Sequence, residues 1–421
     1  MAGNPAARRR VLIVAYHYPP SHGSSGIQRT LKFSTYLREF GWEPMILTIA
    51  PRAHERVSES QMGEIPRDMV VKRAFGLDTA RHLSVRGRYL RWMAQPDRWV
   101  SWWPAAVLAG LRMTRRYRPA VIMSTYPIAS AHLIAQTLHR LTGLPWVADF
   151  RDSMTEPGYP RDNRTWRIHR RLEGEFVHAC TRAIFTTQGT LEMYRSRYPD
   201  VPPTRWAVIE NGFDEENFRD AETGTFEPLG APGQMVLVHS GILYPQERDP
   251  LPLFAALREL KSEGVLDGKK LRLILRAPGT EAHYKATAAQ FGIDDIVSIE
   301  PSVDYASALR EMMRADGLLL MQGVICNHQI PAKLYEYARA GRPILALTDF
   351  AGDTARLLKE MGCTHIADMA DQGSISAVLR AFIADWRAGE LRGVDREVAD
   401  RHSRKARTAE LAGLLDELIA R

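Results

Sequence analysis

Hydrophobic and polar positions alternate along this chain in two recurring ways. Short, unbroken apolar runs are followed by longer stretches with apolar residues every third or fourth position. The first run, Val11-Leu-Ile-Val-Ala15, lacks the alternation of a half-exposed strand and reads as a central parallel strand buried on both faces. A polar, glycine-containing turn (residues 16–26) follows, and the spacing predicts a helix over 27–40 and a strand over 44–49. The same alternation predicts strands at 120–125, 145–149 and 183–187, with helices at 129–141 and 164–180, while residues 51–118 are less regular. After a short strand from Trp206 into the turn Asn211-Gly212, a second series begins. Its strands are expected at 235–241, 271–276, 296–300, 317–321 and 343–347. Its helices are expected at 250–264, 305–315, 331–341 and 353–361, with a long terminal stretch over 398–420. Strands alternating with helices in this way predict open, parallel α/β sheets, here in two tandem domains.

The length of 421 residues agrees, being more than one ordinary core accommodates. The expected boundaries are 1–205, joined by a terminal helix at about 400–421, and 206–399. Three cysteines, far apart in sequence and odd in number, argue against a disulfide framework and for a reducing cytoplasm. The apolar run at Val11 is too short for a signal peptide, and no segment approaches the ~18 apolar residues of a membrane span. The net charge of +7 conceals an asymmetry: residues 1–200 hold 30 basic and 16 acidic side chains, leaving 26 and 33 in the remainder. A basic half suits phosphate-bearing substrates or an anionic membrane surface. Nucleic acid is not favoured, since no zinc-knuckle, RNP-like or helix-turn-helix pattern is present. Tryptophans 92, 99, 102 and 103 interleave with arginines, as at an interfacial segment, although plain packing of the same residues is the competing reading.

Candidate chemistry lies where strands end. The stretch His328 to Leu345 reads as a helix preorganised by Pro331 and stopped at Gly341. Lys333 in its first turn opposes the helix dipole at a cost of about 0.3–1 kcal/mol, unless an anion binds at the helix start. Its bland alternative is a surface pair with Glu336. Arg248, in the loop after the strand 235–241, is a second cation able to meet the same anion, with planar donors suited to phosphate. Gly23-Ser-Ser-Gly26 is a small-residue loop at a strand end, and Asp149, Arg151 and Asp152 close another strand. These last residues form either a structural ion pair or a cleft edge where a carboxylate orients a hydroxyl.

The ordered set Tyr18-Pro-Pro20, Gly23 to Gly26 with Arg29, Asp149-Phe-Arg-Asp152, Ile209 to Asp214, His239-Ser-Gly241, Arg248-Asp-Pro250 and Ile330 to Tyr337 with Gly341-Arg-Pro343 resembles the family 4 glycosyltransferases. That resemblance implies a GT-B fold, α/β, with two Rossmann-like parallel-sheet domains facing across a cleft. It implies a retaining, nucleotide-sugar-dependent transferase whose C-terminal domain holds the donor and whose basic N-terminal domain holds a lipid-linked or glycan acceptor. The donor contacts it implies are Gly23, Ser24, Gly26, Ser240, Gly241, Arg248, Lys333, Glu336 and His328. Arg29, Arg151 and Tyr18 are expected at the acceptor, and Asp149, Asp152, Arg248 and Lys333 at the reacting centre. His328 stands where the family carries the first glutamate of a pair. The lysine that many members place after the first donor-domain strand is missing. With no Asp-x-Asp motif, neither metal nor cofactor is expected. The protein is expected in the cytoplasm, peripheral on the inner membrane face. A nucleotide-sugar epimerase of the same shape and a non-catalytic nucleotide-sugar-binding subunit are the alternatives.

Overall fold

The computed structural model describes residues 9–22, 26–59, 61–223, 227–245 and 247–420. The chain divides into two compact units, residues 1–210 with 404–421, and residues 211–403.

The first unit is built on seven parallel strands: β1 (Arg9–Val14), β2 (Trp42–Ile49), β3 (Val70–Ala74), β4 (Val121–Thr125), β5 (Trp146–Phe150), β6 (Arg182–Phe185) and β7 (Trp206–Val208). Their order is β3-β2-β1-β4-β5-β6-β7. Ile13 lies opposite both Ile46 and Met123, so β1 is central and its apolar run is covered on both faces. The second unit has six parallel strands: β8 (Met235–Ser240), β9 (Leu271–Arg276), β10 (Val297–Glu300), β11 (Gly317–Gln322), β12 (Ile344–Thr348) and β13 (Ile366–Ala367), ordered β10-β9-β8-β11-β12-β13. Each sheet therefore reverses its winding once, between β1 and β4 and between β8 and β11. In open α/β sheets the carboxyl ends beside such a reversal hold the ligands.

Each sheet is packed on both faces. In the first unit, Leu31 and Phe33 of the helix Gly26–Tyr36 join Leu411 and Leu415 of the helix Arg404–Ile419 over Val11 and Ile13. Burying each such leucine contributes about 1.5–3 kcal/mol. Trp42 Nε1 donates to Asp416 Oδ1 at 3.0 Å, tying the last helix to β2. In the second unit, Leu334, Tyr335, Tyr337 and Ala338 of the helix Ala332–Ala340 cover Val238, Leu318 and Leu320.

Three expectations need correction. The strand from Trp206 pairs with β6 and belongs to the first sheet, so the division falls at 210/211 rather than 205/206. The terminal stretch is two helices, Arg396–Asp400 and Arg404–Ile419, and only the second belongs to the first unit. The helices Trp102–Tyr117, Gln188–Arg197, Glu281–Gln290 and Gln372–Ala388 and the edge strands β3 and β13 lay outside the expected set.

Candidate functional site

The strongest site in the second unit lies at the carboxyl end of β8, beside the winding reversal. β8 ends in His239 and Ser240, and the chain turns at Gly241 with φ +122°. A side chain there would be strained, and its Cβ would stand 2.9 Å from Lys333 Nζ. Glycine at 241 thus opens room for the lysine. Lys333 enters from the first turn of the helix Ala332–Ala340, whose free N–H groups and dipole already favour an anion. Its Nζ lies 3.4 Å from His239 Nε2. His239 Nδ1 lies 2.9 Å from the Leu319 carbonyl, so Nδ1 carries the proton and Nε2 presents its lone pair to the lysine. Burial, with Lys333 and Arg248 nearby, holds this histidine uncharged.

Burial, followed by the charge of Arg248, lowers the Lys333 pKa to about 7, partly opposed by Glu336. Arg248 is itself anchored by Nη2 on Gln322 Oε1 at 3.2 Å and by Nη1 on the Ile242 carbonyl at 3.3 Å. Its Nε has no hydrogen-bond partner. Two cations close enough to disfavour each other, at a helix start, store an electrostatic cost that a bound anion relieves. Glu336 accepts from Tyr305 Oη at 2.7 Å, and the Ser240 N–H donates to Tyr337 Oη at 3.1 Å. His328 is exposed, in the connection before the helix.

Sequence reasoning quoted His239 as part of a motif without assigning it a role, and passed over Gln322 and Tyr305. Gln322 is the last residue of β11, 1% exposed, and a buried amide at a strand end was the available signal.

In the first unit the expected residues separate into two groups. Arg29 and Asp149 form a bidentate ion pair at 3.0 and 2.9 Å, 3% and 1% exposed. The same guanidinium donates to the carbonyls of Ile209 and Glu210 at 2.8 Å. This clasp joins the helix Gly26–Tyr36, β5 and the end of the unit. Asp149 is therefore removed from the reacting centre and Arg29 from the acceptor, because both are consumed in structure. Tyr18 is 0% exposed, its hydroxyl set against Ser34 Oγ and Met69 Sδ, and it too is a core residue.

Arg151 and Asp152 lie outside that clasp. Asp152 is about half exposed, 3.6 Å from Arg151. The Arg151 guanidinium lies so close to Gly26 that a Cβ there would fall 1.3 Å from Nη1. Gly26 opens its helix, so this cation too sits at a helix start, with Nε lacking a hydrogen-bond partner. Gly23 and Ser24 lie outside the described residues.

The tryptophan-rich segment is mostly packing. Trp102 is fully buried, and the indole N–H groups of Trp99 and Trp103 donate to the Ala53 carbonyl and Thr137 Oγ1. Trp92 is 66% exposed, beside exposed Val85, Tyr89 and Leu90 and exposed Arg86, Arg88 and Arg91. Among the described residues no helix is long and apolar enough to cross a membrane, and no cluster of His, Cys, Asp and Glu could hold a metal ion.

Comparison with known proteins places these features. Residues 24–217 match the family described as Glycosyltransferase Family 4. No curated protein matches the chain. Among solved structures, sucrose-phosphate synthase from Thermosynechococcus elongatus is similar over 98% of this chain and 100% of its own, at 14% identity and TM-score 0.68. Anabaena HepE in complex with UDP-glucose covers 97% and 99%, at 13% identity and TM-score 0.64. WaaG, a glycosyltransferase involved in lipopolysaccharide biosynthesis, covers 96% and 99%, at 13% identity and TM-score 0.60. At such identities the structures speak for the fold, which is GT-B, and the match to Glycosyltransferase Family 4 covers residues 24–217 of the chain.

Proposed function

We propose that this enzyme transfers a sugar, with retention, from a nucleotide-diphosphate sugar to a hydroxyl of a lipid-linked or polysaccharide acceptor at the cytoplasmic membrane face. One observation carries the reading: Arg248 and Lys333 converge at a helix start beside Gly241, a cationic pair prepared for a diphosphate. There they neutralise charge on the leaving nucleotide as the glycosidic bond breaks. Glu336 is positioned one turn on to accept from ribose hydroxyls, and His328 takes the place of the family's first glutamate toward the donor sugar. That HepE is found with UDP-glucose supports a uridine donor. Two cations perform the charge neutralisation, so a divalent ion is not required and catalysis is metal-independent.

The acceptor class is supported by the basic first half and by the exposed turn of Val85, Leu90 and Trp92 among arginines, whose apolar tips and cations suit an anionic lipid surface. Asp152 and Arg151, at the carboxyl end of β5, orient the acceptor hydroxyl.

A thermal-shift titration with UDP and UDP-glucose, with and without chelator, tests the core of this reading. Ligand that binds only the folded state raises stability by mass action. The expected result is a shift that survives chelator and vanishes in Lys333→Met. A shift unchanged in Lys333→Met contradicts the donor site, and transfer lost on chelation and restored by magnesium contradicts metal independence.

A further inference from the structure

Lys333 and Glu336 both lie on the helix Ala332–Ala340, one turn apart, a spacing at which lysine and glutamate ordinarily close a salt bridge. With water partly excluded, that bridge would be stronger than a surface pair. It would also disable both residues, because a lysine neutralised by its own helix has little attraction left for phosphate. In the structure the two side chains are drawn apart. Lys333 Nζ turns to the end of β8, where it meets His239 Nε2 at 3.4 Å beside Gly241. Glu336 turns to Tyr305, whose hydroxyl donates to its Oε1 at 2.7 Å.

Both holds come from outside the helix. His239 is fixed by its bond to the Leu319 carbonyl and stays uncharged, so its lone pair draws the lysine N–H without adding charge. Tyr305 begins the helix Tyr305–Arg314. Asp304 caps that helix by accepting from the Ser307 N–H at 2.9 Å and from its hydroxyl at 2.6 Å. The Tyr305 ring is 42% exposed, so core packing does not account for it. Its bond to the carboxylate is of the short, charge-assisted kind, and a carboxylate so held keeps acceptor capacity for further hydroxyls. Arg248 and Glu336 are the charges that act on Lys333, in opposite directions. Glu311, on the helix of Tyr305, is bound to Arg276, so Glu336 is the carboxylate the lysine would find.

We propose that Tyr305 is a positioning residue: it holds Glu336 away from Lys333, so that the lysine stays available to the donor's diphosphate and the glutamate to its ribose. The proposal rests on the donor reading above and adds to it the group that keeps the two parts of the grip from cancelling each other. Without the Tyr305 hydroxyl, Glu336 turns toward Lys333, and a closer carboxylate favours the charged lysine. The unliganded lysine, whose pKa is about 7, then titrates higher. A donor must break the new bridge before it engages the lysine. That cost exists where the lysine is charged and disappears where it is neutral.

The test is NMR of the full chain carrying ¹³C-labelled lysine, with the Lys333 Cε signal assigned through Lys333→Met and titrated without ligand. In Tyr305→Phe the Lys333 midpoint should rise by about one pH unit, and adding Glu336→Gln should return it to the parent value or below. A rise of that size means a tenfold preference of the charged lysine for Glu336. UDP affinity by calorimetry should therefore fall close to tenfold at pH 6 and be nearly unchanged at pH 9. An unmoved midpoint, a rise that persists with Glu336→Gln, or an affinity loss equal at both pH values gives Tyr305 a merely structural role and overturns the proposal. A midpoint that rises and returns as expected, in a protein whose parent does not bind UDP, leaves the separation of the two charges standing and refutes the donor reading instead.

Discussion

If Lys333 grips the donor diphosphate as proposed, donor binding is pH-dependent in a direction and amount that follow from its surroundings. Free, its pKa is about 7, lowered by burial and by Arg248. Beside a diphosphate it must be charged, so binding draws a proton whenever the free lysine is neutral. UDP's own terminal phosphate titrates near pH 6, below the useful window. At pH 8 roughly nine-tenths of the free lysine is neutral, so binding takes up about 0.9 proton. The affinity is therefore fully present below pH 7 and falls as pH rises. Between pH 7 and 9 the UDP dissociation constant should weaken roughly fifty-fold, about 2.3 kcal/mol. Calorimetry at pH 8 in two buffers of different ionisation enthalpy should give enthalpies that differ by ~0.9 of that difference. The unliganded protein should show the opposite slope. The unfolded lysine, with a pKa of 10.5, holds its proton between about pH 7 and 10.5 where the folded one has lost it, so stability rises with pH across that window. In Lys333→Met, where UDP binding is expected to be lost, this contribution to the stability slope should disappear. A UDP affinity that stays flat from pH 7 to 9, with buffer-independent enthalpy, would refute the reasoning.

Further outcomes follow from residues of each unit. Asp149→Ala removes the bidentate carboxylate partner of the buried Arg29 guanidinium, and should cost about 3–5 kcal/mol in chemical denaturation. Asp152→Ala, on a half-exposed side chain, should stay within ±0.5 kcal/mol of the parent while transfer to acceptor falls. Gly241→Ala adds about 1–3 kcal/mol of backbone strain and crowds Lys333 Nζ, so UDP affinity measured by calorimetry should drop at least tenfold. In flotation with anionic liposomes at low salt the parent should rise with the vesicles, and replacing both Trp92 and Leu90 with serine should leave it behind. Equal flotation of the two proteins would remove that turn from the membrane.

Much of the fold could be read from sequence because buried parallel strands are continuous apolar runs. Val11 to Ala15 and Met235 to Val238 need no partner to be recognised. The helix Ala332–Ala340 was legible from Pro331 and Gly341 at its ends. The helix Glu281–Gln290 was not, since Tyr284, Thr287 and Ala288 form only a thin buried stripe among polar neighbours. β13 was invisible because two residues carry no period.

The cationic site of the second unit was partly legible, since a lysine in a helix's first turn is odd by itself. Its meeting with His239, 94 residues away, depends on the pairing of β8 with β11, which no local pattern encodes. The same limit misled the reading of Asp149: a carboxylate at a strand end looks catalytic until Arg29, 120 residues earlier, is seen to occupy it. Trp102 misled for a related reason, because arginines beside tryptophans accompany a packed core as readily as a lipid surface.

The central claim is that Arg248 and Lys333 grip the donor's diphosphate. A crystal structure of the UDP complex tests it most directly. Diphosphate oxygens within about 3 Å of Lys333 Nζ and of the Arg248 guanidinium, at the start of the helix Ala332–Ala340, are the predicted result. A diphosphate bound elsewhere, with both side chains left free of it, would contradict the account.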